Sequence, residues 1–178
     1  MKKILVLLLI SCLSFSNCEK DDICDANTAT TPRLVITFYD INNPTVEKSV
    51  TNLTIIADGK EEGIPYSGST LINGSTVAIP LKTDVNTTTF HFILNYGNSN
   101  TALVNEDIIQ FNYGRENIFV SRACGFKTNF TLNADSPDKA PPFVHTDAAT
   151  PDLKWIQYLA VEKYIIANEN ETHLKIYF

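Results

Sequence analysis

Thr88-Thr89-Phe90-His91-Phe92-Ile93-Leu94-Asn95-Tyr96 is the stretch that decides the fold. Successive side chains of a strand point to opposite faces, so Phe90, Phe92, Leu94 and Tyr96 share one side, and Thr89, His91, Ile93 and Asn95 share the other. The pattern predicts a strand lining a core.

The same rhythm recurs on both sides of it. After a turn at Gly97-Asn98-Ser99-Asn100, Asp107 to Tyr113 repeats the alternation through Ile109, Phe111 and Tyr113. Gly114-Arg115-Glu116-Asn117 has turn composition and predicts a hairpin into Ile118 to Cys124. Phe126 to Leu132 follows as a further strand. Upstream, Arg33 to Asp40 is β-favouring on both faces, Val50 to Ala57 stops at Asp58-Gly59, and Thr76 to Leu81 carries Pro80, which suits an edge. Downstream, Pro137, Pro141, Pro142 and Pro151 mark Asp135 to Pro151 as a long loop. Trp155 to Ile166 and Thr172 to Phe178 flank Asn168-Glu169-Asn170-Glu171 as a closing hairpin, and a short helix near Asp152 to Ile156 also fits. Without helical crossovers a parallel sheet is not expected, so the fold class is all-β, an antiparallel β-sandwich of about eight or nine short strands.

Composition agrees with one packed domain. The chain has 178 residues, 44% hydrophobic and 19% charged, with a net charge of -6. That is too apolar for a disordered acidic tail, and the lack of a Lys/Arg cluster excludes the footprint of a nucleic-acid binder.

The first residues read as a leader. Met1-Lys2-Lys3 is a basic start and Ile4 to Ile10 an unbroken apolar run, far short of the roughly 20 residues that span a bilayer. Two cysteines compete to end a lipoprotein signal. Leu9-Ile10-Ser11-Cys12 has the better residue types, whereas Phe15-Ser16-Asn17-Cys18 gives a leader of ordinary length and is followed by acidic Glu19-Lys20-Asp21-Asp22. Cys18 is the expected lipidation site. This divides the chain into a signal peptide (1–17), a lipidated tether (18–31) and a β-sandwich domain (32–178).

With Cys12 removed and Cys18 acylated, Cys24 and Cys124 remain, and an even remainder outside the cytoplasm reads as a disulfide. The alternative for Cys124 is a nucleophile in Ser121-Arg122-Ala123-Cys124-Gly125, which needs a free thiol and an activating base.

Cys18-Glu-Lys-Asp-Asp, Thr31-Pro-Arg-Leu-Val-Ile-Thr-Phe-Tyr-Asp40, Val120-Ser-Arg-Ala-Cys-Gly-Phe-Lys127 and His173-Leu-Lys-Ile-Tyr-Phe178 together resemble a family of small Bacteroidota lipoproteins of unknown function. The acidic run after Cys18 resembles the export tag of surface lipoproteins in that group. The resemblance implies a one-domain lipoprotein of the outer membrane, exposed at the cell surface or facing the periplasm, and carries no established activity.

Few constellations suggest chemistry. No P-loop, dinucleotide glycine pattern, His-Glu-x-x-His or Gly-x-Ser-x-Gly occurs, and Ser136-Pro-Asp-Lys139 lacks room for the helix its chemistry needs. His91, His145 and His173 are far apart, though His91 and His173 on strands could meet as metal ligands. The acidic pairs Glu61-Glu62 and Glu106-Asp107 read as solvated turn residues. Asn52, Asn73, Asn86, Asn129 and Asn170 begin Asn-x-Ser/Thr sites, which in a bacterial lipoprotein reflect only a polar surface. Tyr158, Tyr164 and Tyr177 with Trp155 could form a sugar-stacking platform if their rings are exposed. Arg122 beside Cys124 reads as a buried structural cation or a ligand contact. Arg122 and Trp155 are therefore the candidate ligand contacts, and no catalytic residue, metal or cofactor is expected. The expected function is that of a lipid-anchored, non-catalytic binding or structural module with an envelope protein or glycan as partner. The rivals are an enzyme using Cys124 or the histidines, and a small outer-membrane β-barrel suggested by the terminal Phe178.

Overall fold

The alternating runs become strands, and their apolar faces turn towards each other across two sheets. The computed structural model describes residues 23–149 and 153–178. The leader, Cys18 and Asp152 lie outside the described residues. The elements are β1 (Leu34–Asp40), β2 (Asn43–Glu47), β3 (Val50–Ala57), β4 (Ile72–Gly74), β5 (Thr76–Ile79), β6 (Thr87–Leu94), β7 (Asn105–Ser121), β8 (Gly125–Leu132), β9 (Phe143–Asp147), β10 (Tyr158–Val161), β11 (Ile165–Ile166) and β12 (Leu174–Tyr177). Among the described residues there is no α-helix, only a 3-10 turn at Thr101–Leu103. No helix there is long and apolar enough to cross a membrane.

The first sheet runs β10-β12-β1-β2, with β5 also on β1. β12 lies parallel to β1, pairing Ile36 with Leu174 and Tyr39 with Tyr177. It is a single parallel pair within an otherwise antiparallel sheet: the chain returns to β1 after crossing the other sheet, so no helix is needed to reverse it. The second sheet runs β11-β8-β7-β6-β3-β4, with β9 also on β7. Both sheets keep open edges and no closed barrel forms among the described residues, which removes the β-barrel rival.

The core lies between the sheets. Leu34, Ile36 and Phe38 of β1, with Leu174 and Ile176 of β12, meet Phe90 and Phe92 of β6, Ile109 and Phe111 of β7, and Phe130 of β8. A fully buried Phe or Leu contributes about 1.5–3 kcal/mol, so this one cluster dominates stability. Val35 and Thr37 are buried too, as the two-faced sequence of β1 predicts.

Several boundaries differ from those expected. β6 ends at Leu94 because Asn95 (φ 56°) and Gly97 (φ 77°) turn the chain, leaving Tyr96 exposed. Gly114-Arg115-Glu116-Asn117 is no turn: β7 runs straight through it for 17 residues, pairing with β6 up to Asn112 and with β8 from Tyr113. Its polarity reflects a hairpin that projects past the sandwich. The reversal comes at Arg122-Ala123-Cys124, where the Cys124 N–H donates to Ser121 Oγ (3.0 Å) and Gly125 supplies φ 70°. The proline-rich loop holds β9, an added strand on β7. The segment 153–157 is irregular rather than helical, and the run after it splits, β10 joining β12 and β11 joining β8.

Candidate functional site: the tyrosine row and its surroundings

Alternation along three paired strands sends one set of side chains to the core and the other outward. In β10, β12 and β1, Leu159, Ile176 and Phe38 are buried, so Tyr158, Tyr177 and Tyr39 emerge together on the outer face. Tyr177 stands between the other two, 5.7 Å from Tyr158 and 5.5 Å from Tyr39 between ring centroids, with tilted planes. Tyr158 is 58% exposed, which leaves a ring free to stack. Lys175, one step along the same face of β12, sits 5.6 Å over the Tyr39 ring and bonds Glu162 at 2.8 Å, which holds the Glu162 carboxyl below its usual range. The arrangement offers flat aromatic surface bordered by an ion pair, the surface that meets the apolar face of a sugar ring while polar neighbours take its hydroxyls.

Trp155 is not part of it. Its indole packs between Phe38 and Phe178 and its N–H donates to the Phe92 carbonyl at 3.0 Å, which makes it a core residue with no face open to a ligand. Tyr164 lies elsewhere, two residues before a strand end on the second sheet, where its carbonyl accepts from the Leu132 N–H. Tyr39, which completes the row, is 138 residues from Tyr177 in sequence and was absent from the expected platform.

At the other end of β1 the incoming chain meets the β7–β8 hairpin. Cys24 and Cys124 are bonded, S–S 2.00 Å and Cα–Cα 4.9 Å. The Thr128 N–H donates to Thr31 Oγ1 at 2.9 Å, a second tie between that segment and β8. Arg122 is exposed at the hairpin turn with no carboxylate partner among the described residues, so it is not a buried structural cation. The bonded Cys124 has no thiol to serve as a nucleophile.

The three histidines occupy three separate environments. On the outer face of the second sheet His91 Nδ1 is 2.5 Å from Glu106 Oε1, and Nε2 is 3.6 Å from Asp58 Oδ1. His91 and Glu106 line an open groove of about 430 Å³ with Ile93, Thr101, Val104 and Ile108. Asp107, next to Glu106, points the opposite way and is fully buried, its Oδ2 3.3 Å from His145 Nε2. The strand period therefore corrects the reading of Glu106-Asp107 as a solvated turn pair. His173 is buried in the first sheet, its Nδ1 accepting from the Val35 N–H at 3.0 Å, and burial lowers its pKa. His91 and His173 thus lie on different sheets and do not meet, and no cluster of metal-binding side chains occurs among the described residues.

A model of the family of unknown function DUF6452 matches residues 52–178. The chain belongs to that family. The DUF6452 match begins within β3 and runs to the terminal Phe178, so it contains Cys124, Tyr158 and Tyr177 but neither Cys24 nor Tyr39. No curated protein and no solved structure matches the chain.

Proposed function

We propose that this DUF6452 protein is a lipoprotein of the Bacteroidota outer membrane, acylated at Cys18, that binds a glycan of the cell envelope or its surroundings without catalysis. The observation that carries the binding half is the Tyr39–Tyr177–Tyr158 row on the outer face of the first sheet. Tyr39 is the penultimate residue of β1, whereas Cys24 precedes its start, so the row sits at the end of the strand away from the tether. A ligand there would meet the domain on its membrane-distal side. The Cys24–Cys124 bridge supports export, since structural disulfides persist in oxidising compartments.

Two measurements test this. Palmitate labelling should mark the wild-type and Cys12→Ala chains but not Cys18→Ala; label surviving in Cys18→Ala rejects the anchor. In a glycan-array screen of the full chain, Tyr158→Ala and Tyr177→Ala should each abolish the strongest signals while leaving the unfolding midpoint nearly unchanged. Signals indifferent to both substitutions reject the tyrosine row.

A further inference from the structure

The β7–β8 hairpin displays two phenylalanine rings that have no polar atom to present to water. Phe119 and Phe126 form a cross-strand pair, ring centroids 5.4 Å apart, and are 58% and 69% exposed. They lie beyond the last core contacts of this ladder, where Tyr113 packs on Phe130. Ile23, the neighbour of bridged Cys24, is 79% exposed at the same corner. Arg122 in the turn and Lys127 beside Phe126 have no carboxylate partner among the described residues. Apolar and cationic side chains thus share the tip of a projecting hairpin.

The occupant follows from the length of chain before it. Five residues lie between Cys18 and Cys24, a path of six residue steps, and an extended chain covers at most about 3.3–3.6 Å per step, so a lipid at Cys18 keeps the tip within roughly 20 Å of the bilayer. We propose that the hairpin tip is a membrane-contact surface, with Phe119, Phe126 and Ile23 resting in the interfacial layer of the bilayer that holds the anchor and Arg122 and Lys127 over its lipid phosphates. This rests on acylation of Cys18. Phe and other apolar side chains on an interfacial surface bury into the boundary between headgroups and acyl chains, and Lys and Arg extend from apolar surroundings to polar headgroups. The tether itself bears Glu19, Asp21 and Asp22, so the apolar side chains rather than net charge carry the contact. The consequence is a fixed pose: β1 rises from the membrane and the tyrosine row faces away from it.

The test uses full-length lipidated protein in vesicles of phosphatidylethanolamine and phosphatidylglycerol with brominated acyl chains. Phe126→Trp should be quenched several-fold more than Val46→Trp, a control on β2, which pairs with the far end of β1. Buried Trp155 contributes equally to both. Adding Phe119→Asp to Phe126→Trp should weaken the quenching. Equal quenching of Phe126→Trp and Val46→Trp in a chain shown by mass to be acylated overturns the membrane contact while the anchor stands. Self-association abolished by Phe119→Asp, without quenching, overturns it in favour of a contact between copies. A chain without lipid at Cys18 overturns both readings.

Discussion

The Oδ2 atom of Asp107 accepts a hydrogen bond from the Ile156 N–H at 2.7 Å, and so ties the second sheet to the segment that leads into the first. Asp107 lies on β7 and is fully buried, while Ile156 precedes β10 and packs in the core. Asp107→Ala leaves that N–H unpaired in an apolar setting, at a cost of about 1–3 kcal/mol. Asp107→Asn retains an oxygen acceptor and should cost less. Urea midpoints of the two variants check this. Equal losses would mean that the carboxylate charge beside His145, and not the N–H, sets the requirement for Asp107.

His173 makes the fold sensitive to mild acid. Its Nδ1 accepts from the Val35 N–H, so a proton there would break the bond, and burial lowers its pKa below the ordinary value. The unfolded chain then binds the proton more readily, which places the stabilisation above the unfolded His pKa of about 6.5 and erodes it as pH falls towards the folded value. Stability should decline below about pH 6.5 in the wild type. His173→Asn keeps a short acceptor near Val35 and should flatten this part of the profile. A profile with the same slope in His173→Asn would show that the titration belongs to another group.

Arg33 and Glu169 act at lower pH. The Arg33 side chain bonds both Glu169 oxygens, at 2.6 to 3.0 Å, and its backbone N–H donates to the same carboxylate. The guanidinium holds the Glu169 carboxyl below its usual range. A depressed carboxylate stabilises the fold above its unfolded pKa, and that contribution is lost as pH falls through the folded one. Both side chains are partly exposed, so the pair contributes only about 0.5–1 kcal/mol. Glu169→Gln should lower stability by that amount at neutral pH and leave it unchanged in strong acid, as thermal unfolding at two pH values will measure.

The strands were legible wherever alternation met burial. β3 and β6 stand where Val50 to Ala57 and Thr88 to Tyr96 place them, with only end residues shifted. The continuity of β7 was hidden because Gly114 to Asn117 is polar from exposure, which composition cannot tell from turn polarity. The strand inside the proline-rich loop needs only Phe143 to Asp147, and the partner that makes it a strand is β7. Trp155 sits in irregular chain with no period to reveal which way its ring points. The tyrosine row depends on Tyr39 pairing with Tyr177 in parallel, a contact between opposite ends of the chain that no local pattern encodes. The opposite directions of Glu106 and Asp107, by contrast, were available from the strand period alone.

Cys24 and Cys124 give the prediction that joins fold to placement. The sulfurs are bonded across a sequence separation of 100 residues, for which chain entropy gives about 4.7 kcal/mol, and native bridges in small exported domains typically contribute roughly 2–5. Cys24→Ser and Cys124→Ser should each destabilise within that range. The double variant should be no worse than either, because both single changes break the same bond. Cys24 precedes β1 and Cys124 sits in a half-buried turn outside the core cluster, so breaking the bridge frees the N-terminal segment without touching that cluster. Binding at the Tyr158 and Tyr177 face should therefore survive reduction at temperatures where the domain stays folded, while proteolysis between Cys24 and Thr31 accelerates. Additive losses in the double variant would show that each cysteine stabilises the fold by its own packing and that the covalent link contributes little.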